Sequence, residues 1–178
     1  MSLLREVVTL LDTQRIPHAL IGAAAMALHG VSRATADVDL LTVDARVLAA
    51  ELWKPVGGGG VSVRLLRGDV DDPLAGSVRL TRAGDRVVDV VVGRHGWQRE
   101  IVDAAEPISI GEVSVRIARP AGLVLLKLYA GGPKDAWDVR WLLESHEQAD
   151  AIRAEVESAL PKLPPECRVL WNRVRSGH

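Results

Sequence analysis

Asp37 and Asp39 stand two positions apart in the apolar run Ala36-Asp37-Val38-Asp39-Leu40-Leu41, and this spacing constrains the chain more than any other feature. Residues i and i+2 of a strand share a face, so the two carboxylates project together. Their repulsion is costly unless a cation lies between them. Hard oxygen ligands select magnesium or manganese, and two such ions ~3.5–4 Å apart would bridge a triphosphate and stabilise attacking and leaving oxygens. For an isolated Asp-x-Asp the plainer reading, two solvated surface acids, prevails. A third acid changes that balance. Asp89 is the lone charge in the valine-rich run Val87-Val88-Asp89-Val90-Val91-Val92, where burying it is expensive without a cation or hydrogen bonds. One strand away from Asp37 and Asp39, it would complete a three-carboxylate cluster.

The surrounding pattern is α/β. Leu3, Leu4, Val7, Leu10 and Leu11 recur at helical spacing and predict a packed first helix rather than a signal peptide. Pro17–Ile21 reads as a short strand, and Gly22 opens an alanine-rich helix that closes near Gly30. The free amides where that strand meets that helix suit an anion, and small residues at Gly22 and Ala23 let a phosphate approach, although small residues also serve tight packing. The acidic strand runs over Asp37–Val43, Asp44 caps a helix expected through about Trp53, and Gly57–Gly60 breaks the chain. Alternating segments at Val61–Leu66, Val78–Thr81 and Val87–Val92 predict strands of one mixed sheet, and Ile108–Ile110 with Val113–Ile117 flanks Gly111-Glu112 as a hairpin. From Pro120 the pattern turns helical, Gly131-Gly132 ends one helix, Pro133 starts the next, and Glu166–Arg175 forms a last one. The expected architecture is a mixed-sheet α/β (α+β) core over residues 1–118 flanked by helices, with a C-terminal helical region, 119–178, packed on it.

Composition narrows the class. At 178 residues, 48% apolar and 25% charged, the chain has the makeup of an ordered globular protein. No apolar run approaches the ~20 residues of a membrane span, so no membrane association and a cytoplasmic location are expected. Cys167 stands alone, which excludes an internal disulfide and a cysteine metal cluster, and the five histidines show no ligand spacing. A net charge of −1 gives no global pull on nucleic acid, though arginines could form local phosphate-binding patches. Trp137 and Trp141, four apart, are expected to pack between helices rather than to stack on bases.

Taken together, the Gly22-Ala23 turn, the Asp37/Asp39 pair and Asp89 resemble the nucleotidyltransferase superfamily typified by DNA polymerase β, particularly its minimal bacterial members and the toxin-type branch related to the abortive-infection protein AbiEii. Gly30, Arg33 and Thr35 suit that branch's G-x-x-R-x-T-x-D-x-D run, and Pro120–Leu143 looks like its Lys-containing helix followed by a Lys-Asp-x-x-Asp helix. The resemblance covers about residues 18–143. It implies metal-dependent transfer of a nucleoside monophosphate from a nucleoside triphosphate, with Asp37, Asp39 and Asp89 binding Mg2+ or Mn2+, Gly22, Ala23 and Arg33 holding phosphates, Lys127 neutralising phosphate charge and Asp135 orienting Lys127 or the substrate. Ala23 departs from the family's serine or second glycine, so a side-chain contact to phosphate is missing while the backbone amide remains.

The expected function is therefore nucleotidyl transfer to a hydroxyl acceptor. RNA, including the end of a tRNA, and protein are favoured by the toxin-branch resemblance, which also implies the toxin of a toxin–antitoxin pair with a cognate antitoxin as partner. A small molecule such as an aminoglycoside is a third acceptor class. The alternative is a noncatalytic nucleotide- or partner-binding module that keeps the fold, a reading favoured by Ala23 and opposed by three intact acids.

Overall fold

The computed structural model describes residues 2–31, 35 and 37–176. Along them run α1 (Leu3–Thr13), β1 (Ala19–Ile21), α2 (Gly22–Leu28), β2 (Asp37–Thr42), β3 (Ser62–Arg67), β4 (Gly76–Thr81), β5 (Val87–Val92), α3 (Gly96–Asp103), β6 (Glu106–Ile110), β7 (Val113–Ile117), α4 (Pro120–Ala130), α5 (Pro133–Ser145), α6 (Ala149–Ala159) and α7 (Pro165–Ser176). Among the described residues the seven strands form one mixed sheet in the order β3-β4-β5-β2-β1-β7-β6. β2 is parallel to β5 and β1 is parallel to β7, while the other neighbouring pairs are antiparallel.

The chain divides into two compact units, Met1–Ala24 with Ala34–Ala118, and Ala25–Arg33 with Arg119–His178. The first holds the sheet, α1 and α3. Its three acid-bearing and neighbouring strands obey period two closely: Val38 and Leu40 on β2, Val78 and Leu80 on β4, and Val88, Val90 and Val92 on β5 are all buried, while the residues between them on β4 and β5 are not fully covered, apart from Gly76 at one end. Each fully buried branched side chain contributes about 1.5–3 kcal/mol of transfer free energy, so one face of the sheet is committed to the core. The opposite face carries the charges.

The β4–β5 hairpin is fastened to the first helix. Arg82 at the turn donates to Asp85 (2.7 Å) and to Glu6 of α1 (2.9 Å), and the Leu3 amide donates to Asp85 (3.2 Å). The hydrogen bond from Arg82, with that from the Leu3 amide, holds the Asp85 carboxyl below its ordinary value.

One element departs from expectation. In place of a single helix through Trp53 the chain makes two short 3₁₀ stretches, Ala45–Leu48 and Ala50–Trp53, separated by Ala49 in extended conformation. The Trp53 indole donates to the Val47 carbonyl at 2.7 Å, taking the acceptor that an α-helix would give to residue 51. Asp44 still caps the first stretch by accepting from the Arg46 amide at 2.9 Å.

The second unit packs α4, α5, α6 and α7 around Leu123, Val124, Leu128, Val139, Leu142, Val156 and Trp171. Pro120 and Pro133 occupy the first turns of α4 and α5, where a missing amide hydrogen costs nothing, and Gly131 closes α4 at φ 70°, in the left-handed region. Trp137 and Trp141 are 68% and 52% exposed, so their rings do not pack as expected: Asp138, Val139 and Leu142 take the inward side of α5, and the two indoles lie on the outer one, with Arg140 over the Trp137 ring. No helix among the described residues is long and apolar enough to cross a membrane.

Candidate active site

A single row of residues crosses the sheet of the first unit. In the ladder Ile21 of β1 pairs with Asp39 of β2, Asp39 with Asp89 of β5, and Asp89 with Arg79 of β4. Asp37 lies two residues before Asp39 and shares its face. Thr35 secures the entry to β2, its hydroxyl donating to the Asp37 carbonyl (3.1 Å) and accepting from the Asp37 amide (3.3 Å). Three carboxylates thus stand on adjacent strands, away from the valine and leucine core.

The cation among them is Arg79. Its Nε donates to Asp89 Oδ1 at 2.9 Å and its Nη2 to Asp89 Oδ2 at 2.8 Å, a bidentate grip, and Nη2 also reaches Asp37 Oδ2 at 3.0 Å. The hydrogen bonds that Arg79 donates to Asp89, with the charge of that carboxylate, hold the guanidinium above arginine's ordinary value. Arg79 is absent from the sequence-based set of site residues. The signal that finds it is hairpin register: the β4–β5 pairs all sum to 168, centred on Gly84, whose φ of 81° marks the turn, and 168 minus 89 is 79.

Gly22 closes the other side. It follows β1 directly with φ 68°, and a β-carbon there would lie 2.0 Å from Asp39 Oδ2. The Asp39 carboxylate therefore occupies the space of the missing side chain, set against the backbone of the strand-to-helix turn. Ala23 follows in α2 as a half-buried residue. Arg33 lies outside the described residues.

Lys127 and Asp135 belong to the second unit and form a cluster of their own. Lys127 on α4 donates to Asp135 (2.8 Å) and Asp138 (2.7 Å) on α5, and the second oxygen of Asp135 accepts from the Gly132 amide at 3.1 Å, capping the helix. Burial would pull the lysine down, but its hydrogen bonds to the two aspartates and their charge outweigh it and hold Lys127 above its ordinary value.

The acids of the first unit suit a divalent cation by chemistry. They offer hard oxygens, share one face, and include a carboxylate seated in a cradle that a β-carbon would fill. Two of them are engaged by a guanidinium, and among the described residues no three histidine, cysteine or acidic side chains are gathered as a ready-made ligand set. Any ion bound here would meet Arg79.

No family model matches the sequence, and no curated protein matches it either. Solved structures do. The solution structure of the antibiotic-resistance factor ANT(2'')-Ia is similar over 99% of this chain and 96% of its own, with a TM-score of 0.57 at 15% sequence identity. A crystal structure of ANT(2'')-Ia in complex with adenylyl-2''-tobramycin is similar over 88% of this chain and 95% of its own, with a TM-score of 0.52 at 20% identity. The chain has a nucleotidyltransferase fold. Within this nucleotidyltransferase fold the row Asp39, Asp89 and Arg79 lies on the side of the sheet turned away from its apolar core.

Proposed function

We propose that the protein transfers a nucleoside monophosphate from a nucleoside triphosphate to a hydroxyl acceptor, with pyrophosphate leaving. The observation that carries this reading is the placement of Asp37, Asp39 and Asp89 on two neighbouring parallel strands, with Asp39 paired to Asp89 in the ladder and set against the Gly22 turn. Asp37, Asp39 and Asp89 are the residues that would hold Mg2+ or Mn2+. When bound, the ion neutralises triphosphate charge and stabilises the oxygens that gain charge during transfer. The Gly22-Ala23 backbone leaves room for the phosphates. Asp89 accepts the proton of the acceptor hydroxyl through a carboxylate oxygen, once Arg79, which holds both oxygens, has moved away. The acceptor oxygen then bonds to the α-phosphorus as the bond from that phosphorus to the bridging oxygen breaks, and the electron pair leaves on pyrophosphate. Arg33 is assigned to the triphosphate. Lys127 is assigned to phosphate charge, with Asp135 orienting its ammonium, a role supported by their 2.8 Å contact.

The acceptor is a hydroxyl of RNA, such as a tRNA end, or of protein, on the AbiEii-like motif, and that motif supports a toxin role with a cognate antitoxin. The structure of ANT(2'')-Ia with adenylyl-2''-tobramycin supports testing aminoglycosides beside them. Incubation with each α-labelled nucleoside triphosphate, Mg2+ or Mn2+, and RNA, protein or aminoglycoside in turn identifies nucleotide and acceptor. Label lost in Asp39→Asn supports the assignment, and retained transfer in that variant rejects it. Growth arrest on expression, relieved by a co-expressed neighbouring gene, tests the toxin role.

A second reading is a noncatalytic binding module. Arg79 supports it, because its side chain already pairs with the Asp37 and Asp89 carboxylates, and so does Ala23. Metal-dependent triphosphate binding with no transferred label would favour it.

A further inference from the structure

From the three hydrogen bonds that Arg79 makes to Asp37 and Asp89, we infer that Arg79 is a built-in competitor of a divalent cation for the carboxylate oxygens of the acidic face. This rests on the proposed metal-binding role of the three acids.

Occupancy comes first. Both Asp89 oxygens and one Asp37 oxygen accept from the guanidinium, at 2.8 to 3.0 Å. A magnesium or manganese ion demands carboxylate oxygens at ~2.0–2.2 Å in near-octahedral order, and a bidentate guanidinium fork cannot share those lone pairs unchanged. Charge points the same way. Arg79 stands at the ladder position opposite Asp89, so its positive charge opposes a second cation drawn to the same acids. Removing it raises the negative charge of the face by one.

Mobility makes the competition reversible. The Arg79 side chain is 50% exposed, and Asp37 is 40% exposed, so the guanidinium can swing into water without opening the core beneath Val78 and Leu80. Asp89 is less exposed, at 17%, and its fork is bidentate, so displacing the guanidinium costs more than breaking a plain surface pair, a cost that the double charge of the incoming ion offsets. The backbone of β4 stays in place, held between β3 and β5. Arg79 thereby sets how much free metal the site needs before it fills.

Mn2+ titration of the nucleotide-free protein, read by electron paramagnetic resonance of the free ion, tests this directly without any turnover. Wild type, Arg79→Ala, Arg79→Lys and Asp39→Asn are compared. Arg79→Ala should bind Mn2+ about tenfold more tightly than wild type, as expected for removing one charge at contact distance in a solvated site. Arg79→Lys, which keeps the charge but loses the fork, should fall between. The melting temperature of Arg79→Ala should rise more on adding Mn2+ than that of wild type, which also reports that the variant is folded. Equal or weaker binding in a folded Arg79→Ala, with wild-type binding still lost in Asp39→Asn, overturns the competition and leaves the metal assignment standing. Mn2+ binding that is absent from both wild type and Arg79→Ala, or unaffected by Asp39→Asn, overturns the metal assignment itself and the competition with it.

Discussion

Among the described residues, each unit sets a cation between two aspartates, Arg79 on the sheet and Lys127 between helices, and the two arrangements differ in how far the cation is open to water. On the sheet, Arg79 joins Asp37 and Asp89 with a side chain that is 50% exposed. Between α4 and α5, Lys127 joins Asp135 and Asp138 with exposures of 18%, 19% and 10%. Water reaches the Arg79 and Asp37 side of the first cluster, where Asp89 is 17% exposed, and little of the second. A solvated pair is weak and exchangeable, whereas a buried pair has already lost its hydration and collapses badly when one partner is removed. The same charge pattern can thus serve as a replaceable plug in one place and as a structural pin in another, and exposure decides which.

Substitutions that separate those roles should have unequal effects. Asp39→Asn should lower nucleotidyl transfer about a thousandfold, as for loss of a group that stabilises transition-state charge, while circular dichroism and melting temperature stay near wild type. A folded variant with undiminished transfer would remove the sheet cluster from the chemistry. Lys127→Met should in addition destabilise the fold by about 3 kcal/mol, because two largely buried carboxylates lose their counter-charge; that corresponds to a melting temperature lower by roughly 6–12 °C. A neutral result would mean that the helical cluster is as exchangeable as the sheet one.

The pH profile sharpens the contrast. Lys127 is held above its ordinary value near 10.5, so the stability it provides is complete below that pH and fades as pH rises through the higher folded value. Thermal melts should fall off at the alkaline end in wild type and less steeply in Lys127→Met. At the acid end Asp85, held below its ordinary 3.8, contributes stability above that pH, and the contribution fades as pH falls through the lower folded value. Asp85→Asn should blunt that acid loss in the same melts. Smallest of all, Trp137→Ser and Trp141→Ser should change unfolding free energy by less than about 0.5 kcal/mol, since α5 turns both indoles outward. A large loss would show that the outer side of α5 is covered in solution.

Local pattern carried most of the first unit. β5 runs over Val87–Val92 as its alternation requires, and the Gly111-Glu112 hairpin forms where its turn residues stand. Alternation also assigns Asp37, Asp39 and Asp89 to strand faces, because period two is a property of each strand alone. Which strands lie side by side is settled by long-range pairing, so the parallel match of Asp39 with Asp89 needed the sheet. Arg79 escaped for a related reason: in Gly76-Ser77-Val78-Arg79-Leu80-Thr81 it reads as an ordinary solvent-facing charge until the hairpin register is drawn. The missing helix after Asp44 turned on one indole hydrogen bond to Val47, a contact no helical periodicity encodes. The outward tryptophans show the limit of hydropathy itself, since i,i+4 spacing places two residues on one side of a helix without saying whether that side is the covered one.

Gly22 has a further consequence for how this chain can change. A methyl group there would need an atom-sized gap that Asp39 already fills, and alanine would also have to adopt φ 68°. Shrinking Asp39 to make room would delete the carboxylate and still leave the backbone strained. No single substitution therefore leads away from glycine at this position without strain while Asp39 remains, and two residues seventeen apart in the chain constrain one another.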